Sequence, residues 1–390
     1  MSEWKKVKLG ELYEVHNGLS KGRQFFGSGY PFLTFSTVFN NYFLPKGLDS
    51  LVQSSEKERE ACSIRKGDVF ITRTSETMDE LGMSSVALRD YPNATYNGFT
   101  KRLRPITDKV IPEYIGYYLR SPKFRVKFMA FSSMTTRASL ANGDLLGMEV
   151  ELPSKEVQQR IATILSRYDS LIENYQKQIK LLEEAAQRLY KEWFVDLHFP
   201  GHEKTKIVDG VPEGWEKKKV GYLIAKSQRT KQVPANEYLK TGSIPVIDQS
   251  RNYIAGYTND DECLVSVTTP YIIFGDHTRV LKFIPFPFAK GADGTQLIMS
   301  NDLNRMPQSL FYNSLINIDL SNYSYARHFK YLKEEEIIVS TTDVSMKYDL
   351  LVSKYYQCIQ NNREQIHLLT EARDRLLPKM MSGEIEFNFK

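Results

Sequence analysis

A long helical segment occurs twice in this chain, and that duplication limits the folds open to it. Residues 157–189 align with 344–376 at a constant offset of 187, with 13 identities in 33 positions and no gap. Among the identical pairs are Val157/Val344, Ser166/Ser353, Tyr168/Tyr355, Ile172/Ile359, Gln178/Gln365, Leu182/Leu369, Ala185/Ala372 and Leu189/Leu376. Weaker echoes flank them. Trp4 and Trp215 each open a segment, and Pro112-Glu113-Tyr114-Ile115-Gly116-Tyr117 lines up with Pro307-Gln308-Ser309-Leu310-Phe311-Tyr312. Self-similarity on this scale sets the architecture before any local reading does.

The repeated segment has the period of a coiled coil. Ile161, Leu165, Tyr168, Ile172, Tyr175, Ile179, Leu182, Ala186, Leu189 and Trp193 follow at alternating steps of four and three, which is a heptad seam. Pro153-Ser154 reads as its start and Pro200-Gly201 as its end. At about 1.5 Å per residue, some 36 residues make a rod of roughly 54 Å. The second copy keeps the register through Tyr348, Val352, Tyr355, Ile359, Asn362, Ile366, Leu369, Arg373 and Leu376. There Asn362 and Arg373 replace the equivalents of Tyr175 and Ala186. An Asn in a seam either fixes alignment at some cost in stability or faces solvent at a frayed edge, and the sequence leaves both open. Two matching helices in one chain are expected to pair with each other in antiparallel fashion.

The regions before each helix are mixed. Runs such as Val69-Phe70-Ile71-Thr72 and Tyr271-Ile272-Ile273-Phe274 read as strands between Gly-, Asn- and Asp-rich turns, and short helices are expected near Pro112 and Pro307. The fold class is therefore α+β. Two similar α+β domains are separated by a pair of long antiparallel coiled-coil helices, an internal duplication with pseudo-two-fold symmetry. The expected parts are a first domain over 1–152, a long helix over 153–200, a linker over 201–214, a second domain over 215–340, and the second helix with a tail over 341–390.

Charge follows the same division. The net +5 of the chain resolves into +5 over residues 1–150, −2 over 151–214, +2 over 215–340 and zero over 341–390. Two weakly basic modules could meet two stretches of phosphate backbone, though ordinary surface variation would look the same. Cys62, Cys263 and Cys358 are too far apart for a metal knuckle or a disulfide framework, which suits a reducing cytoplasm. No apolar run is long enough to span a bilayer, and Met1-Ser2-Glu3-Trp4-Lys5 does not start a signal peptide.

Motifs in their order carry a resemblance. These are Leu152-Pro153, Gln159-Arg160-Ile161, Trp193-Phe194-Val195-Asp196, Leu376-Leu377-Pro378-Lys379 and Ser382-Gly383-Glu384-Ile385. Phe274-Gly275-Asp276-His277-Thr278-Arg279 and Gly291-Ala292-Asp293-Gly294 join them in the second domain. Together they resemble the specificity subunits of type I restriction-modification systems over nearly the whole chain. The resemblance implies two target-recognition domains, each reading one half of an asymmetric bipartite site in double-stranded DNA. It implies that the helices set the spacer and dock two modification (methyltransferase) subunits, which restriction (motor-nuclease) subunits join. This chain would be non-catalytic and hold no cofactor or metal, with S-adenosylmethionine, ATP and magnesium on its partners. The setting would be the cytoplasm of a prokaryote.

Other motifs compete with this reading. Phe25-Phe26-Gly27-Ser28-Gly29 matches the glycine turn of an S-adenosylmethionine site, but Ser20-Lys21-Gly22-Arg23-Gln24 before it is no strand, and no base-holding Pro-Pro motif is present. A stand-alone methyltransferase and a protein-only coiled-coil adaptor are the alternatives. No Gly-x4-Gly-Lys-Ser/Thr loop occurs. His198 and His202 are separated by the helix-breaking Pro200-Gly201. Base reading favours Arg on guanine and Asn or Gln on adenine, with Ser and Thr adaptable. In the first domain the candidates are Thr72, Arg73 and Thr74 (before Ser75), Lys101 and Arg102, and Arg137 after Thr135-Thr136. In the second they are Gln249 and Arg251, His277 and Arg279, and Tyr325, Arg327 and His328. Phosphate contacts outnumber base contacts in most complexes, so any one of them could be a backbone contact or plain surface.

Overall fold

The computed structural model describes residues 4–75, 80–131, 138–139, 141–226, 230–323, 327–385 and 387. The chain divides into two compact units, Met1–Glu173 with Ile366–Lys390, and Asn174–Gln365. No described helix is long and apolar enough to cross a membrane.

The two units share one plan. The strand that opens each domain pairs antiparallel with the strand leading into a long helix. Lys5–Lys8 pairs with Glu149–Leu152, and Glu216–Lys219 with Glu336–Val339. In the first unit a four-stranded sheet follows the order Tyr13–Asn17, Thr100–Pro105, Val69–Thr72, Ser84–Val86. In the second, Thr295–Ile298, Tyr271–Gly275 and Leu281–Ile284 form the counterpart, with a single bridge from Ile224 to Ser300 where the fourth strand would lie. The short helices Pro112–Tyr118 and Gln308–Ile316 follow these sheets and begin at the two prolines that the sequence marks as helix starts. Each unit also carries its own insertion. Phe26–Leu33 pairs with Leu51–Val52 and Thr95–Tyr96 in one, and a four-stranded sheet around Ile244–Ile247 stands in the other.

The long helices run over Lys155–Tyr190 and Thr342–Ser382. The first closes in a wider π-helical turn, Lys191–Val195, and stops short of Pro200. That turn brings Trp193 and Phe194 into the second core beside Tyr190, Trp215 and Tyr348. Phe194 lies 5.5 Å from the Trp215 ring and 5.1 Å from Tyr348, in tilted and edge-on contacts that aromatic rings favour. Trp4 is placed alike in the first unit. A Cβ on Gly383, at φ +80°, would lie 3.3 Å from its indole Nε1. Each domain's opening tryptophan thus packs at the end of a long helix.

Within each unit the helices are antiparallel. In the second, Tyr348 Oη donates to Ala186 O at 3.3 Å, Arg363 pairs with Glu183 at 3.1 Å, and Asn362 Nδ2 donates to Gln178 Oε1 at 3.3 Å. Asn362 is 9% exposed, so it is a cross-seam contact and not a frayed edge. In the first unit Arg373 pairs with Asp169 at 2.7 Å, and Asp169 also accepts from Tyr117 Oη. The seam is buried where it meets a core: Ile161 and Leu165 in the first unit, Tyr348, Val352 and Ile359 in the second. Tyr168, Ile172, Ile179, Leu182, Leu189, Tyr355, Ile366, Leu369 and Leu376 are half-buried. Two helices cover only one stripe of each other, so full burial needs a third element.

The end of the second helix completes the first core. Leu377, Met380 and Met381 share one cluster with Val69, Leu103, Ile115 and Ile161. Met381→Ala is expected to destabilise the protein by about 2–5 kcal/mol, the range for emptying a buried site. Leu368→Ala, at an exposed position on the same helix, should stay within about 0.5 kcal/mol. Denaturant unfolding of the two variants checks the contrast.

Candidate nucleic-acid interface

One end of each central sheet carries the loops that sequence reasoning singles out. In the second unit the strand Tyr271–Gly275 turns through Asp276–Arg279 into Leu281–Ile284. Asp276 N donates to Gly294 O at 2.7 Å, which joins this turn to the Gly291–Gly294 loop. In the first unit Arg73 follows Val69–Thr72 and donates its N–H to Phe99 O at 3.0 Å, which joins the equivalent turn to Asn97-Gly98-Phe99. The same backbone bond recurs at the same place in both sheets. Of the third candidate segments, Arg327 is described, and it immediately precedes the helix His328–Glu334. Residues 135–137, Tyr325, Ala326 and the side chain of Thr74 lie outside the described residues.

In the second unit the edge is braced from within. Asp276 is buried. Its carboxylate Oδ1 accepts from Phe329 N at 2.8 Å and holds the start of the helix His328–Glu334, whose N-terminus favours a negative group. Its carbonyl accepts from His328 N at 2.9 Å and faces His328 Nδ1 at the same distance. His328 Nε2 faces Tyr323 O at 3.0 Å, so this buried ring is fixed on both sides. Gln249 joins two loops, with Nε2 donating to Asp293 O at 2.9 Å and Oε1 accepting from His277 N at 3.1 Å. Left exposed are Arg251, Asn252, His277, Thr278, Arg279 and Arg327.

In the first unit Arg73 Nη1 donates to Asn17 Oδ1 at 3.2 Å, and Phe99 beside it is 56% exposed. Lys101 and Arg102 point inward. Lys101 is 4% exposed with Nζ on Asn142 Oδ1, and burial, then the nearby Arg73 charge, pull its ammonium below the usual lysine value. Arg102 is 2% exposed. Its Nη1 donates to Ser63 O at 2.7 Å and Ala61 O at 3.3 Å, and its guanidinium lies over the Tyr96 ring. Thr72 is buried as well, donating to Glu80 O at 2.6 Å and accepting from Met83 N at 2.9 Å. Thr72, Lys101, Arg102 and His328 are thus internal braces, not residues presented to a duplex. Adjacent residues on a strand point to opposite faces, so the burial of both Lys101 and Arg102 means that both faces are covered here, which the sequence does not reveal.

Sequence reasoning passed over Asn17, Asn97 and Phe99. The signal was there: Asn97-Gly98 is a turn dipeptide, and Phe99 follows it. The glycine turn at Phe26–Gly29 opens the strand Phe26–Leu33 and is preceded by a 3-10 turn, Arg23–Phe25. No strand leads into it, which a cofactor-cradling glycine turn would require. His198 and His202 have ring centroids 5.3 Å apart, with His202 Nδ1 facing Phe199 O at 2.9 Å.

Residues 1–184 match the family model of the type I restriction modification DNA specificity domain. The chain is 28% identical over 419 residues to the type I restriction enzyme MjaIX specificity subunit of Methanocaldococcus jannaschii, covering 98% of this chain and 94% of that subunit. It is 28% identical over 216 residues to the HindI specificity subunit of Haemophilus influenzae, covering 54% of this chain and 45% of that one. Its fold is like the crystal structure of the type I restriction-modification S subunit from M. genitalium, with a TM-score of 0.59 and 16% identity, over 97% and 96% of the two chains. Residues 1–184 are thus similar to the DNA specificity domain of type I restriction-modification systems, and nearly the whole chain is similar to one of their specificity subunits.

Inward and outward arginines should behave differently. Arg102→Ala leaves Ala61 O without this donor, while Arg104 Nη2 still donates to Ser63 O at 3.0 Å, and it is expected to cost about 1–3 kcal/mol of stability. Arg327→Ala, at an exposed position, is expected to stay within about 0.5 kcal/mol while weakening DNA binding. Thermal unfolding and a binding titration on each variant test the assignment.

Proposed function

We propose that this chain reads a two-part target in double-stranded DNA, one half with residues 1–152 and the other with residues 215–340, and brings catalytic subunits to it. The observation that carries the reading is the shared edge. The bond from Arg73 N to Phe99 O in one unit and that from Asp276 N to Gly294 O in the other hold equivalent loops. The side chains on those loops differ, so one scaffold used twice would read an asymmetric site. In this reading the helices within 153–200 and 341–390, with the linker 201–214, dock two methyltransferase subunits, and motor-nuclease subunits join them. The chain itself performs no catalysis. S-adenosylmethionine, ATP and magnesium act on the partners, in a prokaryotic cytoplasm.

Replacing residues 215–340 with the matching region of a relative is expected to change one half of the target and leave the other intact. Methylation mapping by the reconstituted complex reads this directly, and a change in both halves would defeat the two-module reading.

The helices also serve as the ruler between half-sites. Four added residues turn a helix by about 400° and lengthen it by about 6 Å, so the apolar face nearly returns to register. A base pair occupies about 3.4 Å. Matched insertions after Gln178 and after Gln365 are therefore expected to lengthen the preferred spacer by roughly one to two base pairs. The half-site bases should not change. Methylation of a spacer-length series is the measurement, and an unchanged spacer in a folded, active variant would assign the distance to another element.

A further inference from the structure

Two exposed residues of the second unit's edge, Arg279 and Asp293, hold a left-handed backbone conformation, and of the two only Arg279 brings side-chain donors. Arg279 has φ +61°, in the left-handed region that favours glycine and, among other residues, asparagine and aspartate. A non-glycine residue keeps such a conformation only where its surroundings impose it, and such residues gather at functional sites. Here the surroundings are visible. Arg279 N donates to Gly275 O at 2.8 Å, closing the turn, and its Nη1 donates to Leu320 O at 3.0 Å. Among the described residues its guanidinium makes no other hydrogen bond, though the Asp319 carboxylate lies near enough to interact with its charge, and the Nε and Nη2 side of the fork remains. The residue is exposed.

Gln249 is the converse case. By type it is an adenine reader, but both ends of its amide are used internally, on Asp293 O and His277 N. Its own carbonyl accepts from Thr278 Oγ1 at 2.6 Å. Two glycines enclose it. A Cβ on Gly294, at φ +75°, would lie 2.7 Å from Gln249 Nε2 and 2.8 Å from the His277 ring. A Cβ on Gly275 would lie 2.9 Å from Gln249 Cβ. Side chains are thus excluded on two sides of this amide, and its hydrogen bonds set where His277 and Thr278 sit. Arg279 is next in the same turn.

We propose that Arg279 is the base-reading residue of the second recognition domain, specific for guanine, and that Gln249 is the positioning residue that holds its turn. A planar fork of donors matches the O6 and N7 acceptors of guanine in the major groove, while an amide held at both its nitrogen and its oxygen is not free to turn onto a base edge. This inference rests on the reading that residues 215–340 recognise one half-site. It adds which residue reads, which base it takes, and which residue of the same loops does not read at all.

The test uses the full-length chain with whatever subunits co-purify with it, and a pool of duplexes with a randomised centre. Selection on the pool gives the preferred target. Affinities for single-base-pair variants of that target are then measured at two salt concentrations. Arg279→Gly suits the φ of the turn and should fold with no fall in thermal midpoint. It is expected to lose discrimination at one G·C pair by roughly 5- to 150-fold, with all other positions unchanged. Gln249→Ala should flatten the same position although Arg279 is present, and the double variant should lose no more there than Arg279→Gly alone. A uniform loss over all sequences in Arg279→Gly, with a lower salt slope, would make it a phosphate contact and overturn the assignment. Full discrimination in Gln249→Ala would overturn its positioning role. A wild-type selection that returned no preferred sequence would instead overturn the two-module reading beneath both.

Discussion

The docking of helix ends into cores built by other parts of the chain is the interaction on which the remainder of this fold depends. In the first unit Leu377, Met380 and Met381 arrive from the far end of the sequence and join strands formed within the first hundred or so residues. In the second, Ala186, Tyr190, Trp193 and Phe194 come from the first long helix and meet Tyr348, Val352 and Ile359 from the other. Apolar burial of this kind carries most of the favourable free energy of folding. Each sheet is small and open, so it needs a helix across one face to complete its core. The same contacts orient the edge loops, because those loops leave the ends of strands whose other face is packed on the helices.

Polar contacts add register to this apolar seam. Asn362 and Arg373 sit where the heptad pattern calls for apolar groups and bond to Gln178 and Asp169 beside the facing seam, and the pair of Arg363 with Glu183 flanks it. Each would leave a partly buried polar group unpaired if one helix slipped along the other, and an unpaired buried group costs more than a made bond returns. Arg363 is also tied into the second domain, with its guanidinium 3.8 Å above the Tyr253 ring, and Tyr253 Oη donates to Phe283 O at 2.7 Å. That ring lies in the segment just after Gln249 and Arg251. The helix seam and the reading loops of this unit are therefore parts of one packed structure.

A division of labour runs through the polar residues of both edges. Asp276, His328, Gln249, Thr72, Lys101 and Arg102 use their hydrogen-bonding groups on the protein itself. Arg73, His277, Thr278, Arg279 and Arg327 keep surface to offer. A loop that must meet DNA in one conformation benefits from such internal bonding, because the ordering is done before binding and is not charged to it. The two units reach the same edge by different side chains, with Arg73 on Asn17 in one and Asp276 capping a helix in the other.

The duplication, the heptad seam, the α+β class and the starts of the short helices at Pro112 and Pro307 are determined by the sequence alone, because each rests on spacing along the chain. That turns follow the strands Val69–Thr72 and Tyr271–Gly275 was also legible, since turn chemistry and strand ends are local. Tertiary structure decided which residues in those loops face outward. Lys101 and Arg102 look like a basic pair for phosphate, yet both side chains are buried and bonded inside, because other elements cover both faces of their strand and the sequence does not reveal that. Gln249 has the chemistry of a base reader and becomes a brace only because Asp293 and His277, distant in sequence, are brought to its amide. Arg279 acquires its significance from a backbone angle, which depends on the closure of a turn between two paired strands and leaves no mark in the order of residues.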